Sequence, residues 1–274
     1  MTEEQVDPLV NARRTGYTRT GFAATYHAYR PRPPLAIVDL LMQVAQTQRP
    51  ELVVDLGSGT GLSTAVWGAH AARVVGIEPL DEMRAVAVAK NTAPNVQFQA
   101  GVAQATGLPD SAADIVTCAQ SLHDMEPHST LAEIARLLRP GGVFAAYDYD
   151  WPPVVHCEAE EAFFAFVDRV GELRRRHGIR SEMRQWDKTG HRDRMRDCGH
   201  FRYVRETCLH HTEMCSAERW VGFALTLGHV PPVLELGLHD DEVGLTALRE
   251  AAQRILGVEG LPWYVNSCVR MGVK

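Results

Sequence analysis

The 274-residue chain has no CxxC pair, no internal repeat, no low-complexity tract and no long unbroken apolar run. Each absence removes a class of protein. A membrane-spanning helix needs roughly 20 consecutive apolar residues, so no membrane partner is expected. The N-terminus, Met1-Thr2-Glu3-Glu4, lacks the basic and apolar regions of a secretory leader, which points to a cytoplasmic location. Six scattered cysteines (Cys118, Cys157, Cys198, Cys208, Cys215 and Cys268) suit reduced thiols better than a disulfide framework. Basic residues are outnumbered, 28 Lys and Arg against 34 Asp and Glu, for a formal net charge of -6. Affinity for a phosphate backbone comes from clustered cations, so no nucleic-acid partner is expected. What remains is ordinary globular composition, 45% hydrophobic and 23% charged, enough for one large domain or a domain with a substantial insert. A monomer or homodimer is expected.

The chain is organised around Leu52-Val53-Val54-Asp55-Leu56-Gly57-Ser58-Gly59-Thr60-Gly61-Leu62. A short apolar run ends in an acid, three glycines follow on alternate positions, and a helical pattern starts at Leu62, which reads as strand, tight loop, helix. Glycine permits positive φ and lets backbone approach a ligand closely. At the tip of a parallel strand such a loop borders the crevice where open α/β sheets bind their ligands.

Around this stretch the pattern alternates. Residues 1–21 are polar, carry Gly16 and Gly21, and are expected to form a mobile arm. Phe22, Tyr26 and Tyr29 recur at helical spacing until Arg30-Pro31-Arg32-Pro33-Pro34 stops the helix. A second helix covers residues 35–46. After the glycine loop, helices are predicted over 62–71, 80–90 and up to Leu138 from a cap at Ser129, and strands over 74–77, 96–100, 115–119 and 143–147, with Arg139-Pro140-Gly141-Gly142 as a turn. Strands separated by helices imply right-handed βαβ units on a parallel sheet, so residues 22–150 form a Rossmann-like core. Beyond Trp151 a long helix is predicted over 158–177, then a charged stretch over 174–196, a strand over 200–211, helices over 216–228 and 241–256, and a last strand from Trp263. The fold expected is α/β: a seven-stranded, mostly parallel sheet flanked by helices, with a helical cap from inserts before and between the last two strands (residues 151–274 supplying both).

Charge narrows the ligand. The loop is GxGxG, with Leu62 where a dinucleotide-binding GxGxxG wants glycine or alanine, and no GK[ST] follows for a nucleoside triphosphate. Asp55 before the loop disfavours a pyrophosphate and favours a cation. Glu78 closes the second strand at the distance where an acid accepts ribose hydroxyls. An amino-acid ammonium, a ribose and no phosphate together specify S-adenosylmethionine.

From Phe22 to Asp150 the chain resembles class I S-adenosylmethionine-dependent methyltransferases. The likeness is strongest in Val53-Val54-Asp55-Leu56-Gly57-Ser58-Gly59-Thr60-Gly61, in Gly76-Ile77-Glu78-Pro79 and in Leu137-Leu138-Arg139-Pro140-Gly141-Gly142. It implies that Asp55 and the backbone of Gly57, Ser58, Gly59 and Gly61 hold the methionine portion, that Glu78 holds the ribose, and that Pro79 and Met83 flank the adenine. Gly101-Val102-Ala103-Gln104 is similar to the adenine-contacting loop, with Val102 where many members have an acid and the backbone of Ala103 and Gln104 left to meet the ring. Gln120 matches a position beside the methionine portion. The arm Tyr26-His27-Ala28-Tyr29-Arg30-Pro31 resembles the N-terminal segment of the small-molecule branch, including trans-aconitate methyltransferase-like proteins, and places Tyr29 and Arg30 over the cofactor.

A methyl group is thus expected to pass to a small-molecule acceptor through an oxygen, nitrogen or carbon nucleophile. A macromolecular acceptor and a non-catalytic cofactor-binding protein are the alternatives. His123, just past the fourth strand, is a candidate base, since imidazole titrates near neutrality; its other reading is a histidine that shapes the pocket. Asp148, in Tyr147-Asp148-Tyr149-Asp150-Trp151, is a candidate at the end of strand five. Cys198, His200, Cys208, His210, His211 and Cys215 lack the close ligand pairs of a zinc site, and no metal is expected.

Overall fold

The computed structural model describes residues 7–14, 16–180 and 183–274. Seven strands form one sheet in the order β3-β2-β1-β4-β5-β7-β6: β1 (Leu52–Leu56), β2 (Arg73–Ile77), β3 (Val96–Gln99), β4 (Ala113–Ala119), β5 (Leu138–Tyr149), β6 (Tyr203–Cys215) and β7 (Leu261–Val273). The first five run parallel, and β7 is antiparallel to both β5 and β6. This is the Rossmann-like, mostly parallel sheet that the alternation predicts. Twelve helices are named in chain order: α1 (Pro8–Arg13), α2 (Phe22–Tyr29), α3 (Ala36–Val44), α4 (Leu62–Ala65), α5 (Asp81–Lys90), α6 (Pro127–Leu137), α7 (Cys157–Arg176), α8 (His191–Asp197), α9 (Ala217–Leu225), α10 (Pro231–Leu234), α11 (Asp240–Val243) and α12 (Leu245–Ile255).

All five residues of β1 are buried, as a central strand covered on both faces requires. Its alternate side chains feed two cores. Val54 and Leu56 join Val116, Phe144, Ala146, Ile134 and Phe201 on one face, whereas Val53 joins Ile115, Ala145, Tyr147, Ile37, Leu41 and Trp67 on the other. A third core, with Phe163, Phe166, Trp220, Phe223, Leu248 and Trp263, holds the cap of α7 and α9 to α12 together. The strand order reverses between β1 and β4, which opens a crevice at their carboxyl ends.

Several elements differ from the sequence reading. The expected mobile arm is helical over Pro8–Arg13, capped by the Asp7 carboxylate, and Asn11 is buried; Met1 to Val6 and Thr15 lie outside the described residues. The stretch 174–196 contains α8, whose buried residues are His191 and Met195, a one-turn stripe concealed among charges; Ser181 and Glu182 lie outside the described residues. Helix α6 is capped by Glu126, which accepts the amides of His128 and Ser129, and not by Ser129. The four residues 139–142 are the irregular start of β5 and no separate turn. The helix expected over 241–256 is two helices, broken at Gly244 with φ of 82°.

Candidate functional site

The glycine loop leaves β1 at the crevice and is held in shape by its neighbour strand: the amides of Gly57 and Ser58 both donate to the Ile77 carbonyl, at 2.9 and 3.1 Å. Gly57 has φ of 66°, and a Cβ there would lie 2.7 Å from that of Ser121 and 2.8 Å from the Met125 methyl. Glycine is therefore required by conformation and by space. Gly57, Ser58 and Gly59 line the cleft, whereas Gly61 caps α4 behind it.

Glu78 sits at the end of β2 and is only 5% exposed. One carboxylate oxygen accepts the Gly59 amide at 2.8 Å and the other the Leu80 amide at 2.9 Å. Burial pushes its pKa up to about 7, against the pull of those two amides and of Arg84. The carboxyl faces the cleft next to Pro79, Leu80 and Met83, with Val102, Ala103 and Gln104 also on that wall.

Past β4 the chain turns sharply at Gln120, which has φ of 56°, and runs through the short turn Leu122–Asp124. The Gln120 side-chain oxygen accepts Lys188 Nζ at 2.9 Å, while its buried Nε2 has no partner among the described residues and lies on the cleft wall. Asp124 also lines the cleft. Burial raises its pKa to about 7, although Gln185, which donates to it at 2.8 Å, and Lys188 oppose the rise. A carboxyl titrating near neutrality can accept a proton from a nucleophile. The sequence reading missed it beside the more conspicuous His123.

Asp55, Asp148 and His123 do not line the cleft. Asp55 is fully buried, and its carboxylate accepts Ser63 Oγ at 2.6 Å, Thr64 Oγ1 at 2.7 Å and Thr117 Oγ1 at 2.8 Å. It organises the loop from behind and does not line the cleft as a seat for an ammonium group. Asp148 alternates with Tyr147 and Tyr149, both of which line the cleft, so its own side chain points to the opposite face of the sheet. There it pairs with Lys188 at 2.9 Å and Arg270 at 3.3 Å. His123 bridges the two acids, with Nδ1 3.8 Å from Asp148 and Nε2 3.3 Å from Asp124, and burial with Lys188 nearby lowers its pKa to about 3. It is neutral near pH 7 and lies outside the cleft lining.

The N-terminal segment closes the cleft. Tyr26 and Arg30, four residues apart, share the face of α2 that looks inward. Tyr29, one position off, turns away: its hydroxyl donates to Glu218 at 2.7 Å, and its ring packs so tightly on Gly222 of α9 that a Cβ there would approach to 2.2 Å. On a third side His27 Nδ1 lies 3.2 Å from the Thr60 carbonyl of the glycine loop. The Arg30 guanidinium is 5% exposed and lies over the rings of Tyr26 at 4.4 Å, Trp151 at 4.7 Å and Phe223 at 5.5 Å. It donates to Thr226 Oγ1, the Thr226 carbonyl and the Tyr149 hydroxyl. Among the described residues no carboxylate pairs with it, an unusual state for a buried charge. Tyr17, from the segment expected to be mobile, stacks on Phe22 and also lines the cleft. Asn11 of α1 ties the roof down, donating to the carbonyls of Asp124 and Arg184 and accepting the Arg184 amide. Among the described residues no group of three or more His, Cys, Asp or Glu side chains converges to hold a metal ion, and none of their helices is long and apolar enough to cross a membrane.

Residues 54–146 match the family model described as a methyltransferase domain. An uncharacterised methyltransferase-like protein of Schizosaccharomyces pombe is 32% identical over 120 residues, 43% of this chain and 46% of that one. An uncharacterised methyltransferase of Bacillus subtilis is 26% identical over 61% of this chain and 67% of that one. The chain thus spans less than half the length of the yeast relative. Among solved structures, a protein of Anaeromyxobacter dehalogenans assigned as a type II methyltransferase superposes with a TM-score of 0.64 at 25% identity, covering 89% of this chain and 98% of that one.

Proposed function

We propose that this chain, which carries a class I S-adenosylmethionine-dependent methyltransferase domain, transfers the cofactor's methyl group to a small-molecule acceptor by in-line displacement. The observation that carries the reading is Glu78, a buried carboxyl fixed by two amides at the mouth of the crevice. Its remaining lone pairs suit the two hydroxyls of a ribose. The other residues present also fit the cofactor. Gln120 Nε2, a buried donor with no partner among the described residues, and the Arg30 guanidinium, which no carboxylate among them pairs, suit the carboxylate of a methionine portion, and Pro79, Met83, Ala103 and Gln104 suit an adenine.

When bound, S-adenosylmethionine supplies an electrophilic methyl group on a sulfonium. Tyr17, Tyr26 and Arg30 shut the site from above and exclude water, which strengthens every electrostatic contact inside. Asp124 accepts the proton of an attacking hydroxyl or amine, its pKa of about 7 matching that task. Holding the reacting atoms about 3 to 3.5 Å apart supplies much of the rate. A small acceptor is favoured because the cleft is roofed by the N-terminal segment, which the cap braces through Tyr29–Glu218 and Arg30–Thr226, and because the net charge of -6 repels nucleic acid. The test is a methyl-transfer screen over small acids, phenols and amines with detection of S-adenosylhomocysteine, run on the unsubstituted protein and on Asp124→Asn. Turnover that falls at least tenfold in the variant, with unchanged cofactor affinity, supports the assignment. Equal turnover in both removes Asp124 from the chemistry, and cofactor binding without transfer to any acceptor removes the catalytic reading.

A further inference from the structure

Two cysteines face each other near the edge of the sheet. In the β6–β7 ladder Cys208 lies directly opposite Cys268, and on the far side Cys268 lies directly opposite Asp148 of β5. The phase of the backbone bonds fixes what kind of pair this is. The Asp150 amide donates to the Asn266 carbonyl and the Lys274 amide to the Gly142 carbonyl. Both pairs continue the β5–β7 register, and both lie an even number of residues from the Asp148–Cys268 pair. Bonded and non-bonded pairs alternate in an antiparallel ladder, so Cys268 also directs its amide and carbonyl toward β5. Toward β6 it therefore forms a non-hydrogen-bonded pair, the closer of the two kinds, with Cα atoms about 4.5 Å apart. That separation falls inside the span a disulfide bridges, roughly 4.4 to 6.8 Å.

Directly opposite residues share a face of the sheet, so both thiols stand on the side of Glu206 and Arg270, which are likewise opposite each other. Cys208 is exposed and Cys268 is half-buried. Burial pushes the Cys268 thiol up to about 11; Glu206 and the Cys208 thiol add to the rise, and Arg270 opposes it. One sulfur is therefore open to attack from solution, and its neighbour is shielded but adjacent.

We propose that Cys208 and Cys268 form a reversible disulfide site, oxidised by a low-molecular-weight disulfide such as oxidised glutathione. The Cys208 thiolate attacks one glutathione sulfur, forming a mixed disulfide and releasing one glutathione thiolate. The Cys268 thiol then loses its proton to solvent and attacks the Cys208 sulfur, expelling the second glutathione as thiolate. Two protein thiols are oxidised and one glutathione disulfide is reduced to two thiols. Proximity drives the second step despite the high pKa of the Cys268 thiol. The cross-link rivets edge strand β6 to β7 beside Ser267, which lines the ligand cleft.

Cys157 provides an internal reference, because it is equally exposed but opens helix α7, outside any strand ladder. The test is exposure of the full chain to oxidised glutathione, followed by alkylation and non-reducing peptide mass mapping. The expected product joins the Cys208 and Cys268 peptides with the loss of two hydrogens, while Cys157 keeps its glutathione, and dithiothreitol restores all three thiols. In Cys268→Ser, glutathione stays on Cys208 as it does on Cys157; in Cys208→Ser, Cys268 remains unmodified over the same interval. A lasting glutathione adduct on Cys208 of the unsubstituted protein, with Cys268 still open to alkylation, overturns the proposal. That result comes from the native chain alone, so it stands even if a serine variant folds poorly.

Discussion

Glu78 offers the most decisive perturbation. In the free protein its pKa is about 7, raised from 4.5 by burial. A raised carboxyl leaves the folded state with its full contribution below the unfolded value, and that contribution is lost as pH rises through the folded value. Holding this carboxylate ionised in the fold therefore costs roughly 3 kcal/mol above neutrality, since each tenfold change in proton affinity is worth about 1.4 kcal/mol. Two ribose hydroxyls donating to the carboxylate would offset that cost, at about 1.5 kcal/mol each for bonds to a charged group. Ligand binding must then favour the ionised form. Calorimetric titration with S-adenosylhomocysteine is expected to show affinity falling as pH drops below about 7, by roughly 20-fold between about pH 8.5 and 5.5. Glu78→Gln keeps the shape, removes the titration and is expected to weaken binding by about 100-fold at pH 8, the two bonds together being worth about 3 kcal/mol. Its own pH profile should be flat across that range. If the variant shows the same pH slope as the unsubstituted protein, or binds equally well, Glu78 does not hold the ribose and the cofactor reading loses its anchor.

Other perturbations separate structure from chemistry. Asp55→Ala strands the hydroxyls of Ser63, Thr64 and Thr117 and is expected to destabilise the protein by about 3 kcal/mol or more, read as a lower urea midpoint with or without ligand. A loss of affinity at unchanged stability would instead return Asp55 to the binding site. Because burial holds the pKa of His123 near 3, the rate profile should carry no imidazole inflection between about pH 5 and 8; a profile in which His123→Gln abolishes such an inflection contradicts this. The same lowered pKa means that its stabilising contribution is present above the unfolded value of 6.5 and is lost as pH falls toward about 3. Asn11→Ala removes three hydrogen bonds joining α1, Asp124 and Arg184, at a cost of about 2 kcal/mol, and should increase proteolysis within residues 183–188; unchanged cleavage would show that Asn11 does not hold the roof.

The parts of the fold that alternate on a regular period were legible in the sequence. Apolar runs such as Leu52–Leu56 and Ile115–Ala119 bury both faces, so their assignment needed no tertiary information. Glu78 and the glycine loop could be placed at the crevice from backbone position, Gln120 from the family resemblance, and all of them line the cleft. The errors arose where direction mattered more than position. Asp55 occupies the expected place but turns inward to three hydroxyls, and Asp148 fails by a single step of strand alternation, a period-two property that holds only once the register is fixed. Helix α8 was hidden because two buried side chains are too few to mark a face. Asp124 was passed over because a free carboxylic acid titrates near 4, and only burial, which sequence does not show, moves it to the range of a base.

Helix α2 has a consequence for how this protein divides. The helix touches the glycine loop through His27 and the cap helix α9 through Tyr29, and its C-cap residue Arg30 reaches strand β5 together with the cap. By chain order the helix precedes the core, yet by shape it is cut to fit the cap, with the Tyr29 ring lodged over Gly222. The unit of exchange is therefore discontinuous. A chimera that replaces residues 151–200 and 216–260 with a foreign cap must import that cap's own partner for α2, or the ring of Tyr29 meets a side chain where it now finds a glycine.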